Sequence, residues 1–164
     1  MKDIFFERKT IEQVEEGNEL APKFNSEGLI PAITTNHLTG EVLMLGYMNQ
    51  EALEQTILTG EAHYYSRSRE KIWRKGATSG LIQKIKQLLV DDDQDSIWLR
   101  VEVLGNGASC HVGYRSCFYR SVPFGSNLRE ETVKKEDLKL EFTEKEKVFD
   151  PEVMYPGVAN PTKL

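Results

Sequence analysis

The sequence predicts a mainly β chain with a few helices, an α+β fold. Three observations carry that reading. Runs of strand composition recur between turn signals, at Leu29–Thr35, Val42–Met48, Ala62–Ser66 and Ser96–Val103. The first two flank Leu38-Thr39-Gly40-Glu41, a turn sequence, and so read as a hairpin. The clearest helix, Gln50–Leu58, has Asn49 as N-cap and Gly60 as its stop.

In chain order, residues 1–20 are expected to be helical, with Ile4, Phe5, Ile11, Val14 and Leu20 apolar and Gly17-Asn18 as the stop. Residues 21–28 form a turn-rich connector. Pro31 predicts an edge position for the first strand. After the 62–66 strand, Arg67-Ser68-Arg69-Glu70-Lys71 is a charged turn and 73–80 a polar loop with two glycines. The apolar spacing of 81–90 fits helix and strand alike, and its strand neighbours favour strand. Gly105-Asn106-Gly107 is a turn, and 110–120 is expected to be another strand or hairpin. Residues 121–164 are charged, with a short helix expected near 130–139.

Composition narrows the function. Hydrophobic residues are 39% and charged residues 29%, ordinary for a globular protein. No apolar run is long enough to span a membrane, and Met1–Arg8 lacks the apolar stretch of a secretory signal. A net charge of −5 without a Lys/Arg block argues against nucleic-acid and membrane partners. Two cysteines are too few for a disulfide scaffold and suit a reducing, cytoplasmic setting.

Three clusters carry chemistry. Asp91-Asp92-Asp93-Gln94-Asp95 packs four carboxylates into five residues, which repel unless a cation sits among them. On an extended chain Asp91, Asp93 and Asp95 would share one face, about 7 Å between alternate positions, a hard oxygen site suited to Mg²⁺. Asp92 would point the other way. Second, Cys110-His111 and Cys117 supply zinc-type ligands that a bend at Gly113 can bring together. Third, His63–Arg69 with Trp73–Gly80 combines cations, hydroxyls, glycine backbone and aromatic rings, a set that can hold a phosphate and stack a base. Taken singly, the plainer readings are a solvated acidic turn, two buried thiols and a basic surface loop.

Taken together, the blocks are more specific. Thr39–Leu45 with Tyr47-Met48-Asn49, Gly60–Tyr64 with Ser66–Arg69, Trp73–Gly76, Thr78-Ser79-Gly80, and Cys110-His111 through Ser116–Arg120 make the sequence similar to the phosphoribosyl-AMP cyclohydrolases of histidine biosynthesis, over about residues 28–120. The resemblance implies hydrolytic opening of an adenine ring at N1–C6 by metal-activated water. It implies a folded mixed sheet or pseudobarrel, and an intertwined homodimer with active sites at the interface. It also implies Zn²⁺ and Mg²⁺ as cofactors.

That family carries Asp-Cys-Asp-x-Asp where this chain has Asp91-Asp92-Asp93-Gln94-Asp95. By position, Asp91, Asp93 and Asp95 take the Mg²⁺ role and Cys110 and Cys117 two zinc-ligand roles. Asp92 stands in for the third, a cysteine in the family. Carboxylates ligate zinc at about 2.0–2.2 Å against about 2.3 Å for thiolates, so a Cys₂Asp site is expected, the alternative being that water or His111 completes the shell. His111 and then His63 are the candidate general acid/base residues. Arg67, Arg69, Arg74 and Lys75 are expected to hold the nucleotide's phosphates, Trp73 or Tyr65 to stack on its base, and Ser79 to bind the substrate. Residues 1–120 are expected to be the cyclohydrolase domain with an N-terminal helical extension, and 121–164 an extension rather than a second domain. The competing readings are a paralogue that has moved to another purine nucleotide and a non-catalytic metal-binding module.

Overall fold

Asn36 closes the first hairpin from within. Its side chain accepts from the backbone N–H groups of Leu38 and Thr39, at 2.9 and 3.1 Å, and Gly40 takes the left-handed conformation, φ 74°, that the turn requires. A computed structural model describes residues 4–125 and 128–164. In order, its elements are α1 (Ile11–Glu16), β1 (Ile30–Asn36), β2 (Val42–Met48), α2 (Gln50–Thr59), β3 (His63–Ser66), β4 (Lys71–Arg74), β5 (Gln83–Val90) and β6 (Ile97–Val103). Beyond them lie β7 (Arg120–Ser121), a 3₁₀ turn (Lys135–Leu138), β8 (Glu141–Phe142) and α3 (Pro151–Met154).

The main sheet runs β2-β1-β6-β5, with β1 and β6 parallel and the outer pairs antiparallel. It is mixed and not closed into a barrel, and the chain is α+β as expected. Alternation sorts the side chains. Ala32, Met44, Ile97, Leu99 and Val101 pack on the inner face with Leu43, Met48, Leu53 of α2 and Tyr64 of β3. β3 can lie on β2 because residue 46 is glycine: a Cβ there would sit 2.6 Å from the Tyr64 ring. The outer face carries a row across all four strands, Leu45–Ile33–Trp98–Leu89. Leu45, Ile33 and Trp98 are 48%, 36% and 40% exposed.

Five local expectations are corrected. The N-terminal helix spans only Ile11–Glu16. Thr10 starts it with a reciprocal capping box to Gln13, Gly17 ends it, and the flanks run back to back through Phe6 N–H to Leu20 O at 2.9 Å. β1 is interior despite Pro31, because its parallel ladder with β6 begins one residue later, at Ala32. Trp73 and Arg74 belong to strand β4, so the loop begins at Lys75. Residues 109–117 make turns rather than a strand, since their backbone bonds close locally: Ser109 N to Arg115 O, Cys110 N to Tyr114 O and Gly113 N to Cys110 O. Only Arg120–Ser121 extends, pairing with β8. The helix expected near 130–139 reduces to the 3₁₀ turn.

Candidate active site

Strands β2, β3 and β4, the 75–79 loop, the 109–117 turns and the segment 147–163 line an open groove of about 1730 Å³. Eight of the residues singled out from sequence lie in it: Arg67, Arg69, Trp73, Arg74, Lys75, Ser79, His111 and Cys117. His63 does not. It is buried, with Nδ1 2.8 Å from the Glu61 carbonyl. The acidic cluster also lies outside the groove lining.

A buried polar chain holds the thiol loop against the sheet. Thr34 Oγ1 lies 2.6 Å from the Tyr64 hydroxyl, which donates to Gln83 Oε1 at 2.7 Å. Gln83 Nε2 donates to Ser109 Oγ at 3.1 Å, one residue before Cys110. Burial holds the Tyr64 phenol well above its ordinary value, so it remains a donor. Lys75 bonds the Ser109 carbonyl at 2.5 Å. Desolvation lowers its pKa, while the two cysteines push it upward. Tyr64 and Ser109 lie within the clusters read from sequence but were given no role there, and Gln83 was not singled out, because none is a titrating or ligating type at neutral pH. Gln83, a polar residue two positions before the core-packed Ile85 on the same strand, was the available signal.

Cys110 and Cys117 are free and adjacent, sharing a hydrogen bond. That bond lowers the Cys110 thiol to about 6 against the desolvation of its site, with help from the Val112 backbone, the Lys75 charge and the Tyr114 backbone. The same bond raises Cys117, and desolvation adds to the rise. Of the two, Cys110 is the more readily ionised, and a thiolate is the form in which sulfur ligates a soft cation. Next to it, His111 Nε2 is buried with no hydrogen-bond partner among the described residues. Desolvation lowers the His111 pKa, and the Asn160 side chain opposes that fall.

The aspartates converge by a turn and not by strand alternation. Asp91 Oδ1 accepts from the N–H groups of Asp95 and Ser96, both at 3.0 Å, and Gln94 N bonds Asp91 O at 3.2 Å. Carboxylate oxygens of Asp91, Asp93 and Asp95 thereby come within 4.8 Å of one another. This is the only such group of three His, Cys, Asp or Glu ligands among the described residues. Asp92, exposed, does not join Cys110 and Cys117 within one chain. Gln94 sits at φ 57° and is buried. Its amide accepts from Ala21 N at 2.8 Å and donates to Val14 O and Glu19 O at 3.0 and 3.1 Å, tying the acidic turn to the N-terminal segment.

Comparison with known proteins agrees with this geometry. The family model described as phosphoribosyl-AMP cyclohydrolase matches residues 44–119, which run from within β2 through β6 and include the aspartate trio and the thiol pair. Among curated relatives, the phosphoribosyl-AMP cyclohydrolase of Rhodopseudomonas palustris (strain TIE-1) is 46% identical over 144 residues, 88% of this chain and 89% of that one. That of Rhizobium etli (strain CIAT 652) is 47% identical over 142 residues, 87% and 89% of the two chains. That of Rhodopseudomonas palustris (strain BisA53) is 54% identical over 111 residues, 68% and 75%. With near-full-length identity at this level, and with the thiol pair, the aspartate trio and the cationic groove in place, the chain belongs to the phosphoribosyl-AMP cyclohydrolase family.

Proposed function

We propose that this chain opens the adenine ring of phosphoribosyl-AMP by hydrolysis at N1–C6, in histidine biosynthesis. The observation that carries the reading is one groove lined by Cys117 of the thiol pair, by His111, whose Nε2 has no hydrogen-bond partner among the described residues, and by Arg67 and Arg69, which have no acidic partner there. Arg67 lies over the Tyr47 ring at 4.2 Å, and Arg69 bonds Ser66 Oγ at 3.2 Å. Neither meets a carboxylate within 4.0 Å among the described residues, so both are available to a phosphate. Arg74 is instead paired with Glu61 at 3.2 Å, and Lys75 is turned inward. Trp73, against Tyr64 at 5.3 Å between ring centroids, gives the base an aromatic wall.

Cys110 and Cys117 would hold zinc, and Asp91, Asp93 and Asp95 would hold Mg²⁺. The chemistry that zinc would supply there is a bound water with its pKa lowered from 15.7 to about 7. His111, with Nε2 free and a depressed pKa, moves the proton to the departing N1. Asp92 of a second copy would be the third ligand, since Asp92 does not group with the two thiols of its own chain. The outer-face row Leu45–Ile33–Trp98–Leu89, exposed at its first three members, is the surface on which that copy would pack. The protein acts in the cytoplasm, where both thiols stay reduced.

The test is turnover of phosphoribosyl-AMP by metal-stripped protein after return of Zn²⁺, Mg²⁺ or both. The expected result is activity with both ions, from a dimer that Asp92→Ala leaves assembled but at least tenfold weaker in zinc affinity. Folded, dimeric protein with no turnover under any divalent metal overturns the reading in favour of a paralogue with another nucleotide or a binding module.

A further inference from the structure

Residues 143–163 lie outside the matched 44–119 block, yet 147–163 form a wall of the groove. Their seating is specific. The Glu144 carboxylate accepts from the N–H groups of Arg115 and Ser116, at 2.7 and 3.3 Å, inside the turn that separates the two cysteines. Val148 N bonds Gly113 O at 2.7 Å, and the Phe149 carbonyl occupies the space where a Cβ on Gly113 would lie. From that anchor the segment crosses the groove by way of α3. It ends beside the Ser66–Arg69 turn, where Lys163 Nζ bonds the Ser68 carbonyl at 3.4 Å.

Lys163 is thus placed beside Arg67 and Arg69, around a turn that also presents the Ser66 and Ser68 hydroxyls, 3.4 Å apart. Like the two arginines, it has no acidic partner within 4.0 Å among the described residues. A phosphomonoester carries close to two negative charges at neutral pH, and two or three converging cations with hydroxyl donors are the groups that recognise it. The Lys163 hydrogen bond is long and the segment is largely exposed, so Lys163 can exchange the Ser68 carbonyl for a ligand oxygen at little cost.

We propose that Lys163 is a substrate-binding residue: with Arg67 and Arg69 it forms a phosphate site, and segment 147–163 closes over the bound nucleotide. The proposal rests on the nucleotide reading above and adds which part of the chain binds one phosphate.

The experiment compares wild type, Lys163→Ala, Lys163→Arg and a chain ending at Glu146, which keeps the Glu144 anchor. Steady-state kinetics with phosphoribosyl-AMP are run beside fluorescence titration with AMP and with inorganic phosphate, which need no turnover and use Trp73 in the groove. Lys163→Ala is expected to raise KM and the AMP dissociation constant about tenfold, the size of one charge-assisted contact. Lys163→Arg recovers most of that, and the shortened chain loses at least as much. Constants within twofold of wild type for Lys163→Ala or the shortened chain overturn the proposal, as does a fall in kcat at unchanged KM. If the wild type binds AMP without turning over phosphoribosyl-AMP, the activity reading fails. The titrations then decide Lys163 alone.

Discussion

Replacing Gln94 by alanine removes the one side chain that joins the acidic turn to the N-terminal segment. Three hydrogen bonds go: Ala21 N to Oε1, and Nε2 to Val14 O and Glu19 O. Each is worth about 1 kcal/mol net, and leaving the buried Ala21 N–H without a partner adds about 1–3 kcal/mol. The Lys23 N bond to the Gln94 carbonyl, 2.8 Å, is a main-chain contact and survives. The sum is about 4–6 kcal/mol, which for a chain of this length lowers Tm by roughly 8–24 °C. Glycine at the same position supplies an internal control. Gln94 sits at φ 57°, where a non-glycine residue carries about 1–2 kcal/mol of backbone cost. Relief of that cost exceeds the entropy that glycine adds to the unfolded chain, about 0.4–1 kcal/mol. Gln94→Gly should therefore melt at or above Gln94→Ala, although both lose the same bonds.

The assay is urea unfolding followed by tryptophan fluorescence, with Mn²⁺ binding measured by electron paramagnetic resonance as a reporter of the aspartate trio. Gln94→Ala should lose both stability and Mn²⁺ affinity, since the residue sits between Asp93 and Asp95. Stability within 1 kcal/mol of wild type refutes the count of bonds. Glycine melting clearly below alanine refutes the backbone argument, and unchanged Mn²⁺ affinity refutes the link between the N-terminal segment and the metal loop.

In metal-stripped protein, thiolate absorbance near 240 nm should rise with a midpoint of about 6 and vanish in Cys110→Ser, while the second thiol stays protonated through pH 9. Because folding lowers Cys110 from an ordinary value of about 9, its contribution to stability grows between pH 6 and 9 and is lost as pH falls through 6. The raised Cys117 reverses the trend above pH 9, so urea midpoints should peak near there. Tyr64→Phe leaves Gln83 Oε1 and Thr34 Oγ1 without their shared hydroxyl at a fully buried position and should cost about 2–3 kcal/mol by the same unfolding assay.

The fold was legible where local signals agree with tertiary need. Asn49 and Gly60 bound α2 from either side, and both halves of the hairpin alternate toward one core. It was least legible where long-range bonds decide. A short run of helix-compatible residues before Ile11 stays extended because it pairs with the chain returning at Leu20. Cys110–Arg120 has strand composition, but Gly113 at φ 108° and the carboxylate of Glu144, a residue more than twenty positions away, hold it in turns. The site residues were legible because charge and sulfur are visible in any context. The aspartate trio was found for a mistaken geometric reason, since strand alternation and a tight turn both bring every second residue together. Gln94, Gln83 and Ser109 were hidden because an amide or hydroxyl earns attention only once its partners are known.

This division bears on how far a match to residues 44–119 describes the site. Within that block lie every ligand and cation proposed here except Lys163. Yet neither ligand cluster is held by the block alone. The aspartate turn is pinned through Gln94 to residues 14–23, and the thiol turn through Glu144 and Val148 to a segment some thirty residues downstream. A ligand set must be positioned to within about 0.5 Å to bind a metal selectively, and that precision comes from the groups behind the ligands. Substitutions in the flanks should therefore alter metal affinity and substrate KM while leaving the central sheet intact. A chain of the matched block alone would keep the chemical groups and lose their placement.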